Sequence, residues 1–351
     1  MDALLSPYLL LFGLLLLLIY PYQKMSDGNR AKVIWLLLGV FILFFGLRGN
    51  VGDDYEHYRS MYEVETLSLI PSMPAFALFM LLLKVVHIPF VGFIFACSCL
   101  VNGLLFLSVA RLRLNTPFVL CIFLGMSGIA NEIDFVRNLI STMLFACSLG
   151  YLERGDAKRY FLLNGLGVLF HYAALIYLPF YFLARRQVSK NVFLGMIAVA
   201  IVFFALRLPF LDGIPRLFES DHVIAIHLYT YIISYTRAMT FTIALVERLL
   251  TAFAVYCFYD QLTADVCNRI AVWAFLFFFI ACSLFSNYAV LATRLANLFV
   301  ICYWILWPTI IRQMQGQRAR IATTVAVCTY LAVRLVGLAS LSQWHYTTVF
   351  S

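Results

Sequence analysis

Charge is what this chain has least of. Asp, Glu, Lys and Arg make up 12% of its 351 residues, against 64% hydrophobic residues and a mean hydropathy of +0.92. That balance excludes a soluble globular domain and leaves a polytopic membrane protein. No polar insert of domain size interrupts the apolar runs, so residues 1–351 are expected to form a single integral domain. Cysteine pairing is not indicated either: there are nine cysteines, an odd number, and Cys97, Cys99, Cys121, Cys147, Cys282, Cys302 and Cys328 sit inside apolar runs as small fillers. The first run, Ala3 to Tyr20, lacks a basic leader and a small-residue cleavage site behind it. It is expected to stay as the first span.

The net charge of +8 could suggest nucleic acid as a partner, but the positions of the charges exclude that reading. Lys and Arg gather in short loops of alternate parity: Lys24, Arg30 and Lys32; Arg111 and Arg113; Arg154, Lys158 and Arg159; Arg185, Arg186 and Lys190; Arg312, Arg318 and Arg320. This is the positive-inside pattern, and it places both termini outside. Loops of the opposite parity carry Asp53, Asp54, Glu56, Glu63 and Glu65, and later Asp212, Glu219 and Asp221. They are expected to face the exterior or periplasm.

Ten spans follow from this rule: Ala3 to Tyr20, Ala31 to Leu47, Pro89 to Ala110, Pro117 to Ala130, Phe135 to Leu152, Val192 to Leu208, Ala238 to Tyr259, Ile270 to Phe285, Leu295 to Ile311 and Ala319 to Leu341. Met73 to Val86 is half a crossing and is expected to lie along the outer surface or dip back. Phe161 to Leu183 is long enough to cross but has basic residues at both ends, which suggests a broken, re-entrant hairpin kinked near His171. An ordinary span with one miscounted helix elsewhere is the alternative. A break at membrane depth would make His171 line a covered, wet cavity.

The densest polar patch is Arg48-Gly-Asn-Val-Gly-Asp-Asp-Tyr-Glu-His-Tyr-Arg-Ser-Met-Tyr62. Asp53 is expected to cap a short helix on which Tyr55, Tyr58, Arg59 and Tyr62 share one face. Such a face suits a sugar ring, with Asp53, Asp54, Glu56 and Glu132 accepting hydrogen bonds from hydroxyls. The competing structural reading is an interfacial aromatic belt with solvated charges. Asn131-Glu132-Ile-Asp134-Phe-Val-Arg137-Asn138 forms a second outer turn. Arg294 opens a span after another, and Arg237 lies near Tyr229, Tyr231 and Tyr235. Ionisable groups at the membrane boundary are costly, so each is a functional candidate. Glu247, Arg248 and Arg334 lie deeper and fit structural pairing equally well.

Arg48-Gly-Asn-Val-Gly-Asp-Asp-Tyr-Glu-His-Tyr, then Arg137-Asn-Leu-Ile-Ser, then Phe170-His171-Tyr-Ala-Ala ending in Pro179, resembles the EpsG and Wzy-type polysaccharide polymerases. The resemblance implies an all-α, glycosyltransferase-C-like membrane fold. It also implies an enzyme that joins oligosaccharide repeat units carried on undecaprenyl diphosphate at the outer face of the bacterial inner membrane, with no cofactor. In keeping with it, the chain has no Gly-rich phosphate loop and no Asp-x-Asp metal motif. The expected partners are lipid-linked donor and acceptor oligosaccharides and membrane lipids, with room for a chain-length regulator protein.

Without a metal, arginines must hold the diphosphate, and Arg48, Arg137 and Arg294 are the candidates, with Arg237 in reserve. Asp54 or His171 is the candidate base. Single-step transfer with one base and no nucleophile would invert the anomeric centre. An O-antigen ligase shares this chemistry; a lipid-linked oligosaccharide flippase should show internal repeats, which are absent; a sugar O-acyltransferase would suit the acidic, aromatic face less well.

Overall fold

The structure is a computed structural model that describes residues 6–207 and 243–350. Apart from loops, these residues are helical, and the extended pairing among them is one isolated antiparallel bridge, Arg48 with Thr348. The chain divides into two compact units: one runs to Ala184 and resumes at Trp307, and the other is Arg185–Leu306.

In the first unit the helices are α1 (Pro7–Lys24), α2 (Asp27–Gly46), α3 (Tyr55–Glu63), α4 (Pro74–Val85), α5 (Phe90–Leu112), α6 (Thr116–Phe123), α7 (Ile129–Ile133), α8 (Val136–Glu153), α9 (Ala157–Phe170) and α10 (Phe180–Leu183). The second unit contributes α11 (Lys190–Leu206), α12 (Ile243–Cys257), α13 (Tyr259–Ala264), α14 (Val266–Leu284) and α15 (Ala289–Asn297). α16 (Ile301–Gln313) runs across the boundary and α17 (Gln317–Ala339) returns to the first unit.

Among the described residues, α1, α2, α5, the α6–α7 segment, α14 and α17 are long and apolar enough to cross a membrane; α15 with α16, bent by 60° at a short break, makes a seventh if taken as one broken span. Several long apolar helices make this a multi-pass membrane protein. The expected span Phe135 to Leu152 coincides with α8, whose Arg137, Asn138, Ser141, Thr142 and Ser148 dilute its apolarity, and α11 is a short apolar helix of 17 residues. The expected span Leu295 to Ile311 is not continuous: it is broken between Asn297 and Ile301.

Buried polar side chains bind these apolar rods to one another where hydrophobicity alone gives no register. Ser141 Oγ donates to the Gly167 carbonyl at 2.8 Å, Thr142 Oγ1 meets Tyr177 Oη at 2.9 Å, Asn164 Nδ2 donates to Ser148 Oγ at 3.0 Å, and Phe145 stacks on Tyr177 with centroids 4.3 Å apart. α8 and α9 are thereby locked antiparallel. At the other end of the unit, Asn115 Nδ2 donates to the Ile19 carbonyl and Tyr22 Oη meets Thr116 Oγ1 at 3.1 Å, tying α6 to α1.

Two breaks shape the unit. His171 ends α9 in an extended conformation and a 3-10 turn, Tyr172–Tyr177, follows, so the break expected near His171 is present. The second was not expected: the Pro117 to Ala130 span is interrupted by a π-type turn at Leu124–Gly128, where Met126 and Ser127 leave helical geometry and Ser127 takes φ 76°. Gly125 lies against Leu331 of α17, and Arg334 Nη1 reaches Met126 Sδ at 3.1 Å. Such π-type interruptions bring backbone and side chains to functional positions.

Candidate functional site

The patch that begins at Arg48 is a loop held from three sides. Gly49 N–H donates to the Thr347 carbonyl at 2.9 Å, Val349 N–H to Leu47 O at 3.0 Å and Gly52 N–H to Gln343 O at 2.9 Å. Gln343 Nε2 also donates to Asp53 Oδ2 at 3.1 Å. Tyr346 anchors this tail, stacking on Phe44 with centroids 4.6 Å apart and donating its hydroxyl to the Phe44 carbonyl. The residues after α17 are therefore part of the site's frame. Sequence reasoning missed them, because strand-like backbone pairing between residues about 300 apart leaves no local pattern.

Arg48 is the inner face of this loop. It is buried, at 2% exposure; Nη1 donates to Phe45 O at 2.7 Å and Nη2 to Ile133 O at 3.3 Å. Burial pulls its pKa down, and the Glu132 carboxylate is the largest effect in the opposite direction. The guanidinium stays charged at any working pH. Among the described residues Arg48 Nε and Glu132 Oε1 find no hydrogen-bond partner, and Glu132 is equally buried. Arg48, expected as a diphosphate ligand, thus spends its fork on main-chain carbonyls, and Glu132, expected to meet sugar, faces the interior beside it. Arg48 is needed inside because α2 and α7 end here with carbonyls that no helix satisfies, and Glu132 supplies it with a buried counter-charge.

Asp134 links the two outer turns. Its Oδ1 accepts the Asp54 N–H at 3.2 Å, and its carbonyl accepts the Tyr58 hydroxyl at 2.9 Å. Gly52, at φ +88°, packs so closely on it that a Cβ there would collide with Asp134 Oδ1. Burial raises the Asp134 pKa to about 6; the Asp54 amide hydrogen bond opposes this, and the neighbouring charges of Asp54 and Asp53 add to it. Asp134 was visible in the sequence only as one acid of its turn. The signal was its position two residues beyond Glu132 at a span end.

The helix expected after Gly52 forms as α3, but Asp54, not Asp53, takes the N-cap position, and its side chain makes no capping bond. The aromatic stripe turns inward. Tyr58 and Tyr62 are 1% and 3% exposed; Tyr62 stacks on Phe93 and donates to Ile88 O, and Tyr58 packs edge-on to Phe76. Apolar partners in the 74–93 segment outcompete a sugar for these faces. Tyr55 stays half-buried against Phe90, Asp53 is exposed, and Arg59 is exposed and paired with Glu63 at 3.1 Å. That surface pair contributes little.

Arg137, in the first turn of α8, is half-buried, with its guanidinium 5.6 Å from the Tyr58 ring centroid and Nη1 3.0 Å from Met73 Sδ, a weak acceptor. Among the described residues it has no carboxylate partner within salt-bridge distance. His171 lies one turn past Gly167, and Arg137 one turn before the Ser141 that bonds Gly167. In an antiparallel pair those steps bring both residues to the same end of α8 and α9. One end of the first unit therefore gathers Asp54, Asp134 and Arg137 around Tyr58, with His171 at the same end.

Arg294 is exposed on α15 in the other unit, where Glu247 accepts from Thr251 Oγ1 at 2.7 Å and from Tyr303 Oη at 3.2 Å, and Arg248 lies 5.4 Å from the Phe278 ring centroid. Those last contacts fit structural roles. Arg237, Tyr229, Tyr231, Tyr235, Asp212, Glu219 and Asp221 lie outside the described residues. Among the described residues no group of three or more His, Cys, Asp or Glu is arranged to hold a metal ion.

Neither the curated proteins nor the solved structures contain a match to this chain. The EpsG family model, by contrast, aligns with residues 31–348, from the second span through the tail that clamps the Arg48 loop. The chain belongs to the EpsG family.

Proposed function

We propose that this protein is a polysaccharide polymerase that transfers a growing glycan from undecaprenyl diphosphate to a hydroxyl of a second lipid-linked repeat unit, at the outer face of the inner membrane. Family membership supports a polysaccharide polymerase-type activity. The observation that carries the chemistry is Arg137: a half-buried guanidinium with no carboxylate partner among the described residues, next to an acidic pair. A cation left uncompensated beside an aromatic ring suits an anionic ligand, and its fork matches a diphosphate.

In this reading Asp54 takes the proton of the acceptor hydroxyl, because it is the partly exposed member of the acidic pair, whereas Asp134 is 6% exposed and positions it through the Asp54 amide. The acceptor oxygen then attacks the anomeric carbon as the bond to the diphosphate breaks. Arg137 takes up the charge of the leaving group, and His171 orients the acceptor or donates a hydrogen bond to the phosphate. Attack without an enzyme nucleophile inverts the anomeric centre. Arginine rather than metal holds the diphosphate, within a ten-span, glycosyltransferase-C-like fold. Arg48 supports the loop instead of binding substrate; Arg294 and Arg237 remain candidates from the sequence alone.

The test is the ladder of surface polysaccharide in a deletion strain complemented at matched expression. Single displayed repeat units in the deletion, a ladder restored by the native chain, and loss of the ladder with Asp54→Asn or Arg137→Ala are expected. Single units trapped on the inner leaflet would make the protein a flippase; long polymer never attached to its acceptor would make it a ligase.

A further inference from the structure

The end of the first unit opposite the Asp134 cluster holds a cavity of about 890 Å³. α1, α5 and α17 each have one terminus at the cluster or its clamp and the other at this cavity, so roughly 27–35 Å of helix separates the two. Lys24 enters from the end of α1, Arg113 from the α5–α6 turn, Arg312 from the end of α16 and Arg320 from the first turns of α17. Among the described residues no Asp or Glu lines it. Among the described residues none of the four cations forms a salt bridge; Lys24 Nζ rests 4.5 Å from the Tyr20 ring centroid, and Arg320 Nε donates to Met314 O at 2.9 Å. Ile19, Phe118, Ile311, Ile321 and Val325 give the wall an apolar side, and Gln23, Asn115, Gln317 and Thr324 add neutral polar groups.

Basic residues at this end are expected from membrane orientation alone. Convergence is not: four cations from four separate segments share one ligand-sized concavity with a partly apolar wall and, among the described residues, no counter-charge. A compact anion of bulk water would need no apolar wall, and an acyl chain would need no cations. We propose that this cavity binds an anionic phospholipid from the cytoplasmic leaflet, its phosphate headgroup held by Lys24, Arg113, Arg312 and Arg320 and its chains laid along the apolar wall. The site is independent of the glycan-transfer chemistry at the other end.

The test uses native mass spectrometry of the purified full-length chain titrated with phosphatidylglycerol, with phosphatidylcholine and inorganic phosphate as comparison ligands. The variant is Lys24→Gln/Arg312→Gln, which spares Arg113, whose backbone is left-handed, and Arg320, which anchors a turn. Its control is Arg154→Gln/Lys158→Gln, which removes two exposed charges where α8 meets α9, outside the cavity. Phosphatidylglycerol should bind the native chain in preference to phosphatidylcholine, and its affinity should fall roughly tenfold in the cavity variant but stay within about twofold in the control. Lys24→Arg/Arg312→Lys should bind as the native chain does, which separates lost charge from lost fold. Equal losses in cavity variant and control would overturn the site in favour of general surface charge. Equal binding of phosphatidylcholine, or displacement of the lipid by millimolar inorganic phosphate, would overturn the lipid assignment.

Discussion

Asp134 shows how one buried carboxyl couples the site to stability. Its folded pKa of about 6 stands above the ordinary carboxylate value, so the folded state holds a proton that the unfolded state has released. Stability from this group is fully present below about pH 4 and is lost as pH rises through 6. Asp134→Asn keeps an acceptor for the Asp54 amide and removes the charge, so it mimics the protonated form at every pH. Thermal unfolding in detergent is expected to show variant and native chain alike near pH 4.5, and the variant more stable by on the order of 2 kcal/mol at pH 7.5. The opposite pH trend would mean that Asp134 is stabilised as a carboxylate. Gly52 presents a steric counterpart. Its φ of +88° disfavours any L side chain, and a Cβ would strike Asp134 Oδ1. Gly52→Ala should cost on the order of 1–3 kcal/mol and weaken the ladder, whereas Gly28→Ala, where nothing lies within 4 Å, should cost under about 1 kcal/mol.

At the scale of elements, the tail after α17 does what no side chain in the loop can do alone. It closes the backbone of residues 47–52 with three main-chain hydrogen bonds and seats Tyr346 against Phe44 and Tyr8. Truncation after Leu341 should release that loop. The readout is trypsin cleavage after Arg48, which is protected in the intact chain by 2% exposure and by its guanidinium's two hydrogen bonds to the Phe45 and Ile133 carbonyls. Rapid cleavage in the truncated chain and none in the native chain is the expected result; continued protection would show that α2 and α7 hold the loop without the tail. The long apolar runs made most helices of the first unit legible, and the break at His171 was legible because basic residues flank a segment too long for a loop. The break at Met126 and Ser127 was not, since it depends on Leu331 and Arg334, two hundred residues away. The inward turn of Tyr58 and Tyr62 was hidden for a similar reason: their spacing defines a helical face, but only Phe76 and Phe93 decide what that face meets.

At the scale of the whole molecule, the charge asymmetry along the chain tests the proposed function, because a polymerase acting on displayed lipid-linked units would need its acidic site outside. Asp53, Glu56 and His57 are exposed at the end of the first unit that holds the site, and Arg154 and Lys158 are exposed where α8 meets α9, a full helix length away. A single cysteine at His57 and another at Lys158, each in a background stripped of the nine native cysteines, should report this directly. On intact cells a membrane-impermeant maleimide is expected to label His57→Cys and to reach Lys158→Cys only after permeabilisation. The reverse pattern would put the Asp54, Asp134 and Arg137 cluster in the cytoplasm, where no displayed repeat unit can reach it. It would remove the exterior polymerase reading while leaving the geometry of the cluster intact. The positive-inside bias predicts the first outcome: on the topology expected from the sequence, five basic clusters fall in loops of one parity and the acidic turns in the other, so inversion would require moving every one of those clusters across the membrane.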